Sequence, residues 1–89
     1  MDNRMNAQIT ANHYKENMVG KRYKHFKGGV YVVEDIAVHS ETGELMVIYS
    51  SYLQEKLKWA RPLEMFISEV DKEKYPDVKQ EMRFEELSN

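Results

Sequence analysis

Between Val30 and Leu53 the chain carries two runs dense in β-branched and aromatic residues, and this pair constrains the fold more than any other stretch. The first is Val30-Tyr31-Val32-Val33-Glu34-Asp35-Ile36-Ala37-Val38-His39, and the second runs from Glu44 through Leu45-Met46-Val47-Ile48-Tyr49 to Leu53. Ser40-Glu41-Thr42-Gly43 separates them, a polar break ending in the residue that most easily takes positive φ, which is the pattern of a β-hairpin. An isolated hairpin is at best marginally stable in water, so the remaining residues are expected to pack on this one. Its first arm places Tyr31 and Val33 opposite in facing to Val30 and Val32. The acidic pair Glu34-Asp35 interrupts that run and predicts a bulge or bend. In the second arm Leu45, Val47, Tyr49 and Ser51 share one face and Met46, Ile48, Ser50 and Tyr52 the other. Both faces are partly apolar, which predicts a central strand covered on both sides near Val47 and Ile48.

The other elements are shorter. Asn6 to Met18 predicts a weak amino-terminal helix, loosely docked because Met5, Ile9, Tyr14 and Met18 form only a broken stripe, with Gly20 as its stop. Tyr23-Lys24-His25-Phe26-Lys27 reads as the first strand, closed by Gly28-Gly29, with Phe26 as its core residue. Gln54-Glu55-Lys56 is a polar turn, and Leu57 to Arg61 a further strand ended by Pro62. Pro62-Leu63-Glu64-Met65-Phe66 predicts one helical turn with proline at its first position, and Trp59 and Phe66 are expected in the core. Ile67 to Val70 is expected as a short edge strand, residues 71–80 as a charged loop, and Arg83-Phe84-Glu85 as a last strand.

At 89 residues without a composition break, the chain predicts one small β domain over residues 20–89 with residues 1–19 as an amino-terminal extension. The absence of cysteine removes disulfides and thiolate chemistry and fits a reducing, cytoplasmic setting. No apolar run is long enough for a membrane span, and Met1-Asp2-Asn3-Arg4 lacks the apolar core of a signal peptide, so no membrane partner is expected. The net charge of −2 hides a division: Lys15, Lys21, Arg22, Lys24 and Lys27 lie early, and carboxylates dominate from Glu64 onward. That pattern excludes a uniform nucleic-acid coat and leaves nucleic acid a weak alternative on a small basic patch.

His39-Ser40-Glu41-Thr42 brings imidazole, hydroxyl and carboxylate within four residues, but adjacent residues in a tight turn rarely face one another as nucleophile and base must. Side chains bonding their own turn explain the same letters. His25 and His39 lack the spacing of a metal site, and no catalytic residue, metal or cofactor is expected. Tyr23, His25, Lys27, Tyr31, Tyr49, Tyr52 and Arg61 form the binding candidate: tyrosines from neighbouring strands with a basic rim, suited to an anionic or planar ligand. Arg61 has a structural alternative as an ion-pair partner of Glu64 or Glu41.

Tyr23-x-His25-Phe26-Lys27-Gly28-Gly29-x-Tyr31, Ile36-Ala37-x-His39-Ser40-Glu41-Thr42-Gly43-Glu44, Val47-x-Tyr49, Trp59-x-Arg61-Pro62-Leu63-Glu64-Met65-Phe66 and Arg83-Phe84-Glu85 resemble the small bacterial and phage family catalogued as domain of unknown function 1653. The resemblance runs from about Gly20 to Glu85 and implies a mostly antiparallel β domain, without implying an activity. The chain departs from the family at Tyr52-Leu53, at Gln54-Glu55-Lys56, and in the longer charged loop before Arg83.

The fold expected is therefore a mostly β, small antiparallel barrel or bent sheet of about five strands, SH3-like in general form. The function expected first is a non-enzymatic binding or adaptor module whose tyrosine-rich, partly basic groove takes a protein segment or a nucleotide-like ligand. The alternatives are a small hydrolase or ligand-modifying domain using His39 or His25 with Glu41, and a structural homo-oligomer paired through an edge strand.

Overall fold

In the computed structural model the described residues are 3–54 and 57–88, those at 3–7 by their backbone alone. Helix α1 spans Asn3–Met18, three residues longer at its start than the sequence suggested. Ala11 and Met18 are buried and Tyr14 half-buried, a spacing that puts all three on one face of a helix. The helix is therefore docked into the core, and Lys15 adds an ion pair to Asp35 at 3.5 Å. Gly20, at φ 86°, ends it and turns the chain into the sheet, where its amide donates to the Val33 carbonyl at 2.8 Å.

The sheet contains β1 (Arg22–His25), β2 (Val30–Val38), β3 (Leu45–Ser51), β4 (Lys58–Pro62) and β5 (Phe84–Glu86). It is antiparallel throughout, with spatial order β4-β3-β2-β1-β5. The central hairpin is the predicted one: Val33 faces Tyr49, the register shifts, and Ile36 then faces Val47. Glu34 is the additional residue at that shift, so the expected bulge is present and returns both Val33 and Ile36 to the buried face. Its carboxylate joins Lys58 of β4. Val47 is wholly buried while Ile48, on the opposite face of β3, is half-buried.

The barrel does not close. The sheet bends until the Arg61 guanidinium on edge strand β4 lies 5.2 Å from the centre of the Phe84 ring on edge strand β5, yet no ladder joins these strands among the described residues. Closure would need matched strand lengths and stagger, and β5 has only three residues. Side chains fill the seam instead. The short helix α2 (Leu63–Phe66) inserts Phe66, 1 % exposed, against Phe84, with ring centroids 4.0 Å apart and planes 9° from parallel. Tyr23 and Tyr49 meet Phe66 edge to face at 5.3 and 5.5 Å.

Several local expectations are corrected. Phe26 is not a core residue: β1 ends at His25, and Phe26, half-buried, begins an exposed turn, whereas Tyr23 is 7 % exposed. Trp59 is 40 % exposed, because β4 is an edge with no strand beyond it among the described residues. Pro62 is the last residue of β4 and precedes the first helical residue, a position an edge strand tolerates. Ile67–Val70 forms no strand beyond a single bridge, Glu69 to Met82. Glu55 and Lys56, in the expected polar turn, lie outside the described residues.

Phe66→Ala is expected to cost about 3–5 kcal/mol of unfolding free energy, and Phe26→Ala less than half of that. Urea unfolding of both variants checks the order, and the reverse order would contradict this core.

Candidate functional site

The seam between the two edge strands opens into a pocket of about 600 Å³. Its walls come from the β1–β2 turn (His25, Phe26, Lys27), the end of β4 (Ala60, Arg61, Pro62), Met65 of α2, the loop residues Asp71, Lys74 and Tyr75, and Arg83 just before β5. These residues are distant in sequence and are placed by separate devices.

The turn carrying Lys27 is closed by Gly28 and Gly29, at φ 108° and 87°. The His25 amide donates to the Gly29 carbonyl at 3.1 Å, and a side chain at Gly29 would meet the Tyr31 ring at 3.2 Å. His25 Nδ1 accepts the Lys27 amide at 3.1 Å, which assigns the proton of the neutral imidazole to Nε2. Arg61 Nε donates to the Tyr49 hydroxyl at 3.3 Å, and its guanidinium lies on Phe84. The Arg83 backbone is held from both sides, its amide donating to Ser68 O at 3.0 Å and its carbonyl accepting the Phe26 amide at 2.9 Å. In the loop, Asp71 Oδ1 accepts the amides of Glu73 and Lys74 at 3.0 and 3.3 Å. Tyr75 is thereby brought against Phe26, with ring centroids 5.0 Å apart, and the Lys27 ammonium sits 5.0 Å from the Tyr75 ring centre.

The electrostatics are one-sided. Lys27, Arg61, Lys74 and Arg83 face the pocket against one carboxylate, Asp71. Neither Arg61 nor Arg83 lies within ion-pairing distance of a carboxylate among the described residues, and Arg61 pairs with neither Glu64 nor Glu41. Arg83 Nε is buried and meets no acceptor among the described residues. Burial, followed by the charges of Arg61, Lys27 and Arg83, holds the His25 imidazole below its ordinary pKa. The hydrogen bond from Lys27 pulls the Tyr75 phenol down from its ordinary value, with Lys74 adding to the effect.

The seven candidate side chains do not form one surface. His25, Lys27 and Arg61 share the pocket wall. Tyr49 supports Arg61 from below, and Tyr31 packs at 6.5 Å from His25. Tyr23 belongs to the core, where burial and the neighbouring Glu86 carboxylate push its phenol up to about 12. Tyr52 is on the opposite face of the sheet, under the Arg22 guanidinium at 5.3 Å. Sequence reasoning did not select Arg83, Lys74 or Tyr75. The one signal for Arg83 was its place before Phe84 in the Arg-Phe-Glu segment that carries part of the family resemblance. At the other candidate centre, His39 Nδ1 accepts the amides of Glu41 and Thr42, both at 3.2 Å, so the ring serves its turn.

A comparison with curated proteins gives no match. Among solved structures, the chain is similar to the crystal structure of a DUF1653 protein from Bordetella bronchiseptica, 25 % identical, with a TM-score of 0.64 over 83 % of this chain and 92 % of that one. The family model described as "Protein of unknown function (DUF1653)" matches residues 21–86, a span that holds every strand and every wall of the pocket. By that match the chain belongs to the DUF1653 family of proteins of unknown function.

Proposed function

We propose that the chain is a non-enzymatic binding module that takes an anionic ligand in the pocket at the open seam of its sheet. The observation that carries this reading is the convergence of Arg61, Arg83 and Lys27 on one pocket, with neither guanidinium paired to a carboxylate among the described residues. An anion bridging the two guanidinium groups gains charge-assisted hydrogen bonds, each worth about 1.5–3 kcal/mol. A protein that places four cations around a cavity also raises the local concentration of anions before any contact is made. The hydrolase reading has weaker support, because His39 is engaged by backbone amides of its own turn. A cytoplasmic setting agrees with a chain free of cysteine, and no helix among the described residues is long and apolar enough to cross a membrane.

Sulfate, a dianion that does not titrate near neutrality, is the direct probe. Titration into isotope-labelled protein is expected to shift signals of Lys27, Arg61, Lys74 and Arg83 while leaving Tyr52 unmoved. Arg61→Gln is expected to weaken binding about tenfold, the loss of roughly 1.4 kcal/mol. Shifts no larger at the pocket than at Tyr52 would overturn the reading.

His25 supplies a pH dependence with a fixed sign. Its imidazole titrates below 6.5 in the folded chain, so the unfolded chain binds more protons between that lowered value and 6.5. Stability from this group is full above that window and is lost as the pH falls through it. The stability advantage of the native chain over His25→Gln is therefore expected to shrink on acidification, and sulfate is expected to move the His25 titration upward. Imidazole proton shifts followed by NMR check both, and a His25 midpoint above 6.5 without sulfate would contradict them.

A further inference from the structure

We infer that the pocket is built for a phosphate monoester of mononucleotide size, its phosphate held between Arg61 and Arg83 and its body lying along Ala60, Pro62 and Met65. This inference rests on the proposed reading of the pocket as an anion site and narrows it to one class of ligand.

The donor set argues for phosphate over carboxylate. A guanidinium presents a planar fork of N–H donors, and two such forks would take up all of the roughly four lone-pair sites of one carboxylate, leaving none for Lys27 or Lys74. A phosphate monoester offers three terminal oxygens and close to two negative charges near neutrality. The charge excess matches it: four cationic side chains face one carboxylate, and one oxygen of that carboxylate is already engaged by the amides of Glu73 and Lys74. The Arg61 side chain is also preorganised by Tyr49 and Phe84, and the Arg83 main chain is fixed by both of its backbone hydrogen bonds. That lowers the ordering entropy that binding must overcome at Arg61.

The dimensions argue for a body beyond the phosphate. About 600 Å³ falls within the range of pockets that hold whole small molecules and far exceeds the volume of an inorganic anion. Ala60, Pro62 and Met65 supply apolar surface beside the cations, with Met65 45 % exposed. An extended acidic protein segment fits less well. Beyond Pro62 the surface changes sign, with Glu44 and Glu64 lining the next depression, so the cationic zone ends where a longer acidic ligand would continue.

The test is calorimetric titration of the full chain with adenosine monophosphate, ribose phosphate, inorganic phosphate, adenosine, citrate and a phosphoserine peptide, with chemical-shift mapping of each. Adenosine monophosphate is expected to bind at least about tenfold more tightly than inorganic phosphate or adenosine, with shifts at Arg61, Met65 and Arg83. Arg83→Lys is expected to weaken it by at least about tenfold. Because Arg83 is partly buried, Lys74→Gln at an exposed loop position gives a second reading that does not depend on core packing, with a smaller loss expected. Citrate binding as tightly as adenosine monophosphate at these residues would overturn the phosphate assignment while leaving the anion site standing. Tighter binding of the phosphoserine peptide would overturn the small-molecule assignment. Adenosine equal to its monophosphate would overturn the role of the arginines. No binding of any probe would overturn both this inference and the anion-site reading beneath it.

Discussion

The stacked pair Phe66 and Phe84 is the contact on which the rest of the molecule depends. Their rings lie nearly parallel, and they join α2, which follows the last long strand, to β5, which arrives only after a charged loop. Buried aromatic surface is the largest apolar contribution a chain of this size can collect at one point, and Tyr23, Tyr49 and Phe84 all present rings to this cluster. Because Phe84 also stands opposite His25 across the β1–β5 ladder, the stack fixes the position of the short edge strand. The outer ring face of the same cluster receives the Arg61 guanidinium. Stability and the candidate site are therefore coupled through one side chain, and a disturbance of Phe84 reaches both.

An unclosed sheet explains why charge collects where it does. A barrel would have paired β4 with β5 and hidden the inner ends of both strands. The bent sheet leaves a gap there, and the chain lines it with arginine and lysine supported on aromatic rings. Ring faces accept cations at modest cost in hydration, which allows partly buried guanidinium groups without carboxylate partners. The imidazole of His25 responds as its surroundings require: half-buried and beside three cations, it favours its neutral form. A bound anion would reverse that balance, so occupancy of the pocket and the protonation of His25 are linked.

Much of this was written locally in the sequence. The central hairpin, its turn, and the bulge at Glu34 are legible because alternation, a terminal glycine and an acidic interruption are short-range signals. Two of the misplaced residues share one cause. Phe26 and Trp59 are large and apolar, and composition places such residues inside. Position at a turn and on an edge strand left them partly exposed, and neither position can be known before strand order is known. Strand parity already put Tyr49 and Tyr52 on opposite faces, so gathering them into one groove ran against the period-two geometry of the same strand. Arg83 was the hardest to find. Its place in the pocket wall follows from a three-residue strand pairing with β1 across most of the chain, and nothing within its own neighbourhood announces that partner.

The measurement that reaches the central claim most directly is the Nε–Hε correlation of Arg83 by NMR, recorded in the free protein and at saturation with sulfate. If the seam is an anion site, the Arg83 signal is slow to exchange when free, as burial requires, and moves with saturation as the anion engages the rest of its guanidinium, with Arg61 following. An Arg83 signal that stays fixed across the titration would contradict the account, and the cations of the seam would then belong to the architecture of the open sheet alone.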